Sequence, residues 1–478
     1  DMTDLDMIDP KTHRQLLIDD GAIETREGVS RVLEKPTKCG PMIRGGVQSR
    51  ATPLWNPEKS LWEWWYMGSH TNYATSPDGE NWELPSLGLY EFEGSRDNNI
   101  ACDPDQPRMY HIVRDEAEPD QSRRYKALFG HNGRQLGVSP DGFDWTLLEE
   151  TIPSQDESQF TYDPQTGQYL AFVKLVTEWG RSVWLSKSDD FRSFSEPELI
   201  FHADEVDWEN CRKRVREIVD NPAYLTPFLV DDEDYKAQIY NMAVLPYEGL
   251  YVGFPTVFNP IGAIPPPATN YTRINQIEMS VSRDLHQWER VADRDVFIGV
   301  EPWRGDNYGT SQLLPAGHPV VRDDGEIWCY YNALRLPGSR EQYREFNRNK
   351  EPFRLNVQGE AFDDGGALSL AKLPADRFAA LAADEAGQIL SKSFDLKGED
   401  VYINADATWG KIFVEIVDAQ TRRPHDGFWV PGETPEPFVG NETRAKVRWK
   451  PKHDLVFDRP VRLRFYLHQA RLFSFWIE

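Results

Sequence analysis

The stretch Tyr73-Ala-Thr-Ser-Pro-Asp-Gly-Glu-Asn-Trp82 decides the fold, because its spacing of Ser, Asp and an aromatic residue recurs along the chain. The copies are Ser76-x-Asp78-x-x-x-Trp82, Ser139-x-Asp141-x-x-x-Trp145, Ser188-x-Asp190-x-x-x-Phe194 and Ser282-x-Asp284-x-x-x-Trp288, with an eroded fifth copy from Ala371 to Phe378. Each copy ends one alternating apolar run and begins another. The pattern predicts a strand, a tight turn held by Ser and Asp side chains on backbone amides, and a second strand whose aromatic residue packs under the turn.

A unit of this kind cannot bury its sheet face alone, so the copies are expected to stack around an axis. Five copies predict an all-β fold, a five-bladed β-propeller, with blades near residues 47–83, 97–150, 154–201, 238–292 and 306–381. Beyond about residue 385 the repeat stops, and period-two runs predict a small C-terminal β-sandwich. The predicted domains are an N-terminal arm packing on the propeller (1–45), the propeller (46–384) and the sandwich (385–478).

The composition indicates a globular protein, with 39% hydrophobic and 12% aromatic residues among 478. A formal net charge of −25 argues against nucleic acid and anionic membranes as partners. No apolar run approaches the roughly 20 residues that cross a bilayer. The first residue is Asp1 rather than an initiator methionine, which a cleaved leader or a trimmed chain would explain. The sequence leaves the compartment open and slightly favours a soluble, secreted or periplasmic protein after leader removal over a cytoplasmic one. The oligomeric state stays open.

The four cysteines, Cys39, Cys102, Cys211 and Cys329, have no zinc-site spacing. We expect most of them to be buried thiols, with one disulfide as an open alternative. No metal or cofactor motif occurs, and a structural Ca²⁺ on the axis is an alternative that no residue pattern supports.

Three long insertions, 202–237, 255–275 and 335–365, fall on the face opposite the Ser-x-Asp turns. The first contains a helical pattern at Trp208–Val219. Insertions collected on one face of a repeat array usually form its binding face.

The repeated Ser-x-Asp-Gly turns, the Arg124-Tyr-Lys126 strand and a terminal sandwich resemble bacterial proteins related to glycoside hydrolase family 32, in the superfamily shared with families 43 and 68. The resemblance implies an exo-acting or furanose-directed glycosidase with carboxylates at the inner ends of the first three blades. In blade three, Asp156 and Glu157 occupy the place of the acid/base. In blade two, Asp105 lies near the corresponding place. In blade one the nucleophile motif is absent, and Gln48-Ser-Arg50 stands there instead.

Glycoside cleavage needs one group to protonate the leaving oxygen and a carboxylate as nucleophile or base. We predict Asp156 or Glu157 as the acid, with a raised pKa, Asp306 as the base or nucleophile, and Asp105 as a carboxylate that holds sugar hydroxyls. The predicted substrate-binding residues are Arg50, His70, His131, Trp179, Tyr240, Asn241, Glu301, Tyr308 and Arg335. Arg50 and the arginines at 335, 340, 344, 348 and 354 suit an anionic sugar.

The sequence therefore predicts a metal-independent glycoside hydrolase acting on a furanosidic or otherwise unusual sugar, with a carbohydrate as its partner. Two alternatives stay open on the same fold. One is a glycoside phosphorylase, in which arginines hold phosphate, and the other is a non-catalytic carbohydrate-binding propeller. A sialidase-like enzyme would need six blades, and the sequence offers five repeats.

Overall fold

A computed structural model describes residues 6–225, 230–231, 233–264, 266, 270–339, 363–428, 435–450 and 454–478. Over these residues the fold is mostly β, with a single α-helix. None of the described helices is long and apolar enough to cross a membrane. All four cysteines are free, and three of them are buried.

The N-terminal residues contribute strands to two separate sheets. They form β1 (Gln15–Leu16), β2 (Ile23–Glu27), β3 (Ser30–Leu33) and β4 (Thr37–Ile43). The first three strands join a sheet built mainly from the C-terminal residues, and β4 pairs with a strand more than three hundred residues later, where Ile43 lies opposite Leu368.

Three small antiparallel sheets follow in chain order. The first contains β5 (Leu54–Asn56), β6 (Leu61–Met67) and β7 (Thr71–Ser76). The second contains β8 (Met109–Arg114), β9 (Tyr125–Phe129), β10 (Arg134–Ser139) and β11 (Thr146–Ile152), with a 3-10 turn at Gln121–Arg123. The third contains β12 (Ser158–Asp163), β13 (Gln168–Thr177), β14 (Gly180–Ser188) and β15 (Glu198–Phe201).

The next two groups of strands form one ten-stranded sheet. After helix α1 (Glu205–Val219), the fourth group contains β16 (Gln238–Tyr247), β17 (Leu250–Ile264), β18 (Asn270–Ile277), β19 (Ser280–Ser282) and β20 (Glu289–Arg290), followed by a 3-10 turn at Ala292–Arg294. The fifth contains β21 (Gln312–Pro315), β22 (Val320–Val321), β23 (Ile327–Leu334) and β24 (Gly366–Leu373), and β4 is its outermost strand. The two groups meet at a single parallel pairing, between Asn275 and Gln312.

The predicted Ser-x-Asp turns are present in the first four groups with a common geometry. Ser76 Oγ accepts a hydrogen bond from the Gly79 amide at 2.8 Å, and Asp78 Oδ1 accepts from the amides of Glu80 and Asn81 at 2.9 and 2.8 Å. The fourth residue of each turn has a positive φ, which glycine adopts without strain at Gly79 and Gly142. Phe191 and Leu285 take this conformation in the third and fourth copies.

Apolar cores join each group of strands to the next. Trp65 of the first sheet lies 5.6 Å, between ring centroids, from Tyr125 of the second. Further clusters join the second sheet to the third, the third to the fourth group, and the fourth to the fifth. The fifth group returns to the first sheet, since Tyr330 lies 5.0 Å from Trp64.

The 255–275 insertion differs from the expected loop, because most of it is a hairpin arm formed by the continuation of β17 and β18. Pro260 lies where the register between these strands shifts, a position that tolerates the missing amide hydrogen. Helix α1 agrees with the predicted helical pattern. Most of the third insertion, 340–362, lies outside the described residues.

The C-terminal part contains β25 (Ala379–Ser391), β26 (Val401–Asp418), β27 (Phe438–Lys446) and β28 (Val461–Ile477). Together with β1, β2 and β3 they form one seven-stranded sheet rather than two separate ones. The long strands change register at bulges near Ala383 and Asp406, and the sheet encloses one apolar core. Bulges bend strands, which allows one continuous sheet to fold around its own core.

Candidate active site

A polar cavity of about 470 Å³ lies where the first strands of the successive groups begin. Its volume falls in the usual range for small-molecule sites, roughly 300–1,000 Å³. Five of the residues singled out in the sequence line it, namely Arg50, His131, Asp156, Glu157 and Tyr240. They come from three sheets and from β16, which explains why no sequence motif contains them together.

Hydrogen bonds between neighbouring first strands fix the walls of this cavity. His111 of β8 contacts the Arg50 carbonyl at 2.7 Å and Ser158 Oγ at 2.6 Å. Burial holds the pKa of His111 well below its usual value, so its imidazole is neutral and serves as a spacer between sheets. Gln159 of β12 donates to the Pro315 carbonyl of β21 at 3.2 Å.

Arg50 and Glu157 form a buried bidentate ion pair in the cavity wall. The Arg50 Nε and Nη2 atoms each lie 2.7 Å from a different oxygen of Glu157. Asn241 also donates to Glu157 Oε2 at 3.0 Å, and Thr256 fixes the Asn241 amide from behind. Both residues of the pair are only 5% exposed. Both Glu157 oxygens are therefore already engaged in charge-assisted hydrogen bonds.

Asp156 is the more accessible carboxylate of the cavity. Its side chain is 38% exposed and accepts a hydrogen bond from Lys174, whose side chain is only 3% exposed. Burial acts to raise the pKa of Asp156, but the charge and hydrogen bond of Lys174 outweigh it and hold the pKa below its usual value. We expected a raised pKa here, suited to an acid. A carboxylate with a lowered pKa instead stays ionised, which is the state that the nucleophile or base of a glycosidase needs.

Tyr240 packs over the buried lysine, with the Lys174 Nζ atom 4.6 Å from the ring centroid. Burial raises the pKa of Tyr240, so its hydroxyl stays protonated. A protonated phenol at the wall of a polar cavity can donate a hydrogen bond to a ligand oxygen.

Residues of the second sheet and its loops form another wall of the cavity. Tyr110 Oη lies 2.8 Å from His131 Nδ1. Behind Tyr110 lies Arg134, which has no exposed surface and whose guanidinium carbon is 4.2 Å from the ring centroid. Arg108 lies at the cavity rim and donates to the Ser69 carbonyl at 3.2 Å.

Several residues that build this cavity were not predicted from the sequence. Tyr110, Arg108 and Arg273 line it, as does Gln312, which accepts from Arg273 Nε at 3.0 Å. Lys174 lies behind the wall. One signal was available, because Lys174 interrupts the apolar run Tyr169–Val173, and a lysine inside a buried strand needs a carboxylate partner.

Four predicted residues of the fifth group lie together but do not line the cavity. Arg335 donates to the carbonyls of Asp306 and Asp364 and stacks 3.9 Å from the Tyr308 ring centroid. The Asp306 side chain is exposed. Glu301 pairs with Lys38 at 2.7 Å. These contacts fold the segment before β21 onto the start of the third insertion.

The remaining predicted residues lie elsewhere. Asp105 is exposed in the loop before β8, His70 packs edge-on against Phe92 at 4.9 Å, and Trp179 stacks on His202 at 4.9 Å. The arginines at 340, 344, 348 and 354 lie outside the described residues. Within the described ranges, no group of three or more His, Cys, Asp or Glu side chains is arranged to hold a metal ion.

Comparison with known proteins gives structural similarity only. No model of a known protein family matches the chain, and no curated protein matches it in sequence. Among solved structures, an N-acetylgalactosamine deacetylase from F. plautii, in complex with blood group B trisaccharide, is similar at 13% identity and a TM-score of 0.40, covering 73% of this chain and 96% of that one.

Two glycoside hydrolases are also similar. The catalytic domain of the Coprinopsis cinerea GH62 α-L-arabinofuranosidase has 10% identity, a TM-score of 0.38 and coverage of 71% of this chain and 97% of that one. The Bombyx mori GH32 β-fructofuranosidase has 10% identity, a TM-score of 0.35 and 93% coverage of both chains. At such TM-scores the similarity says nothing of what the present chain binds, and the site must be judged on its own geometry.

Proposed function

We propose that the five groups of strands form a closed five-bladed propeller whose axis passes through the cavity. The apolar cores that join each group to the next, including the fifth to the first, support this arrangement. Asn332 of β23 supports it at the join, since its amide accepts from the Ser49 amide at 2.7 Å and donates to the Ser49 carbonyl at 2.8 Å. These two hydrogen bonds join the fifth group of strands to the segment before the first group, in the way that a pair of backbone hydrogen bonds joins adjacent strands.

On this fold we propose that the chain is a glycoside hydrolase with Asp156 as its base or nucleophile. The observation that carries the proposal is the cavity itself, in which an accessible carboxylate with a lowered pKa lies among arginine, histidine, tyrosine and amide groups. Such a set of donors and acceptors suits the hydroxyls of a sugar. The furanosidic, exo-acting substrate expected from the sequence remains part of this proposal.

In the proposed reaction the bond between the anomeric carbon and the leaving oxygen breaks, and the leaving oxygen takes up a proton. We assign that proton to His131, which lines the cavity together with Asp156 and is held through Nδ1 by Tyr110. Asp156 either attacks the anomeric carbon or removes a proton from the attacking water. Glu157 is held by Arg50 and Asn241 and contributes fixed charge to the wall.

The test is hydrolysis of a panel of aryl glycosides and oligosaccharides by the parent, Asp156→Asn, His131→Asn and Asp306→Asn. We expect Asp156→Asn to lose activity by a factor of roughly 10²–10⁴ on every cleaved substrate. His131→Asn should lose activity on poor leaving groups and keep it on nitrophenyl leaving groups, which need no proton. Asp306→Asn, a carboxylate outside the cavity, is the matched control and should keep full activity.

A non-catalytic carbohydrate-binding role is the second candidate, and one observation favours it. Both carboxylates at the expected acid position are occupied by cations, Glu157 by Arg50 and Asp156 by Lys174. This candidate predicts saturable glycan binding with no cleavage by the parent protein.

The glycoside phosphorylase expected as an alternative from the sequence is tested in the same experiment. Assays with and without inorganic phosphate separate hydrolysis from phosphorolysis.

A further inference from the structure

The side chains around the cavity carry more positive than negative charge, whereas the whole chain carries a net charge of −25. Among the described residues, five cationic side chains line the cavity or lie directly behind its lining, against three carboxylates. The cations are Arg50, Arg108, Arg134, Lys174 and Arg273, and the carboxylates are Asp156, Glu157 and Asp363.

Four of these cations divide into two kinds, and the fifth, Arg273, donates to the Gln312 side chain and the Tyr271 carbonyl. Arg50 is paired with Glu157, and Lys174 with Asp156, so their charges are compensated within the protein. Arg108 and Arg134 form no ion pair with any carboxylate in the described part of the chain. Their hydrogen-bond partners are neutral oxygens, the Ser69 carbonyl for Arg108 and a set of carbonyls and one hydroxyl for Arg134.

Arg134 is the more unusual of the two, because it is a fully buried guanidinium. Its Nη1 atom donates to the carbonyls of Gly130, His131 and Gly133 at 2.8 to 3.1 Å, and its Nη2 atom is buried without a hydrogen-bond partner. A buried cation held only by neutral dipoles is costly unless a negative charge compensates it. Carbonyl oxygens carry partial charges, so they compensate it incompletely.

The Arg134 guanidinium carbon lies 4.2 Å from the ring centroid of Tyr110, which lines the cavity. A negative group that enters the cavity at Tyr110 would therefore lie within the field of Arg134, in surroundings where charges are weakly screened. Arg108, on the same strand segment as Tyr110, is placed at the rim to contact such a group directly.

We propose that the ligand of this cavity carries an anionic oxygen group, a carboxylate, sulfate or phosphate, and binds it at Arg108 and Tyr110 in front of Arg134. This corrects the sequence-based expectation that Arg50 receives the acid group, since Arg50 is already committed to Glu157. The inference rests on the proposed function in one respect, namely that the molecule carrying the anionic group is a sugar. Arg134 acts through its field and positions the ligand without touching it.

The test measures binding by calorimetry for matched pairs of acidic and neutral sugars, glucuronate with glucose and galacturonate with galactose, together with a sulfated galactose. We expect the acidic member of at least one pair to bind on the order of tenfold more tightly at low salt. Because the preference is electrostatic, it should weaken as the salt concentration rises toward about 1 M.

Arg108→Gln should abolish most of this preference, because it lowers the affinity for the acidic sugar far more than the affinity for the neutral one. Arg134→Gln should do likewise, and Arg134→Lys, which keeps the charge, should retain more of the preference than Arg134→Gln does. A purely structural role of Arg134 would lower both affinities together. Arg471→Gln removes the same charge from an exposed position in the C-terminal sheet and is the matched control.

If no sugar binds, inorganic sulfate and phosphate test the anion site separately from the proposed glycoside hydrolase function. Stabilisation of the parent by either ion, measured as a rise in Tm that Arg108→Gln removes, would support the anion site and count against the carbohydrate function. Equal binding of acidic and neutral sugars, an acid preference unchanged in both arginine variants, or no response to any anion would overturn the proposal.

Discussion

At the scale of single residues, the cavity shows how a lysine decides what a carboxylate can do. Asp156 and Glu157 are adjacent in sequence, yet they have different partners and different accessibility. Glu157 faces a bidentate arginine, whereas Asp156 is held on one side by Lys174 and is open on the other. Neighbouring residues on an extended segment point in opposite directions, which separates the two environments.

We predict that Lys174→Met shifts the pH dependence of hydrolysis. With Lys174 present, the pKa of Asp156 is below its usual value, so the base stays ionised as the pH falls through the ordinary carboxyl range. Removal of the lysine charge raises that pKa, and the acid limb of kcat/KM should move to higher pH. The measurement is a pH–rate profile of the parent and the variant on one cleaved substrate.

Lys35→Met is a suitable control, because it removes an exposed lysine that pairs with Asp295 away from the cavity. An acid limb that stays in place in Lys174→Met would show that Asp156 is not the group that controls the rate.

At the scale of elements, helix α1 is held by charges at its N-terminus. Asp204 is the N-cap, and it forms a capping box with Asp207. Arg290 and Arg294 pair with Asp207, and Arg294 also pairs with Asp204. Arg214, further along the helix, pairs with buried Glu278, the residue after β18. These ion pairs attach the first insertion to the fourth group of strands.

We predict that Asp204→Asn lowers the stability of the protein by an amount that depends on pH. Asp204→Ala should lower it by the same amount and by a further amount that does not depend on pH. The hydrogen bond from Arg294 lowers the pKa of Asp204 to about 2, below the usual value for an aspartate. A carboxylate with a lowered folded-state pKa stabilises the fold above its unfolded pKa and loses this effect as the pH falls through the folded value.

The difference in unfolding free energy between the parent and Asp204→Asn should therefore shrink as the pH is lowered from about 5 to about 2. Asp204→Ala should cost about 1 kcal/mol more than Asp204→Asn, because asparagine can still cap the helix. Urea unfolding at several pH values measures both effects. If the difference in unfolding free energy between the parent and Asp204→Asn did not change with pH, the ion pair between Asp204 and Arg294 would not be the source of the stabilisation.

The sequence predicted the elements well where local chemistry decides them. The Ser-x-Asp turns at Ser76, Ser139, Ser188 and Ser282 and helix α1 depend on side chains within a few residues of one another. The hairpin arm of β17 and β18 was missed, because prolines disfavour a strand and the register shift that accommodates Pro260 depends on the pairing of the two strands.

The cavity was predicted less completely, because its residues meet only through tertiary structure. Arg50 and Glu157 are far apart in sequence, and nothing local indicates that they form a pair. Arg134 resembles any arginine at the start of a strand until its burial behind Tyr110 is known. The sequence could suggest residue types for the site but could not say which of them are already paired with one another.

At the scale of the whole molecule, Asp376 connects parts of the chain that are distant in sequence. Its carboxylate, which is 1% exposed, accepts hydrogen bonds from Arg14, Tyr247 and Ser474. These residues belong to the N-terminal segment, the end of β16 and strand β28. The eroded fifth copy of the repeat thus keeps its aspartate in a different role, in which it joins the N-terminal segment and the fourth group of strands to the C-terminal sheet.

We predict that Asp376→Ala destabilises the protein by roughly 1–3 kcal/mol for each of the two buried hydroxyls, those of Tyr247 and Ser474, that lose their acceptor. Arg14 is partly exposed and keeps its ion pair with Glu248 at 3.0 Å, so the double variant Asp376→Ala with Arg14→Met should recover little of the loss. Thermal and urea unfolding of the two single variants and the double variant measure this. A neutral effect of Asp376→Ala would show that the two parts are held together by apolar contacts alone.

The position of β4 has a consequence for synthesis of the protein. Its residues leave the ribosome early, yet their partner β24 is translated only after most of the chain. Until then the nascent polypeptide carries an unpaired strand, a natural target for chaperones and for wrong partners. The pairing of β4 should therefore form late, after β24 has been translated.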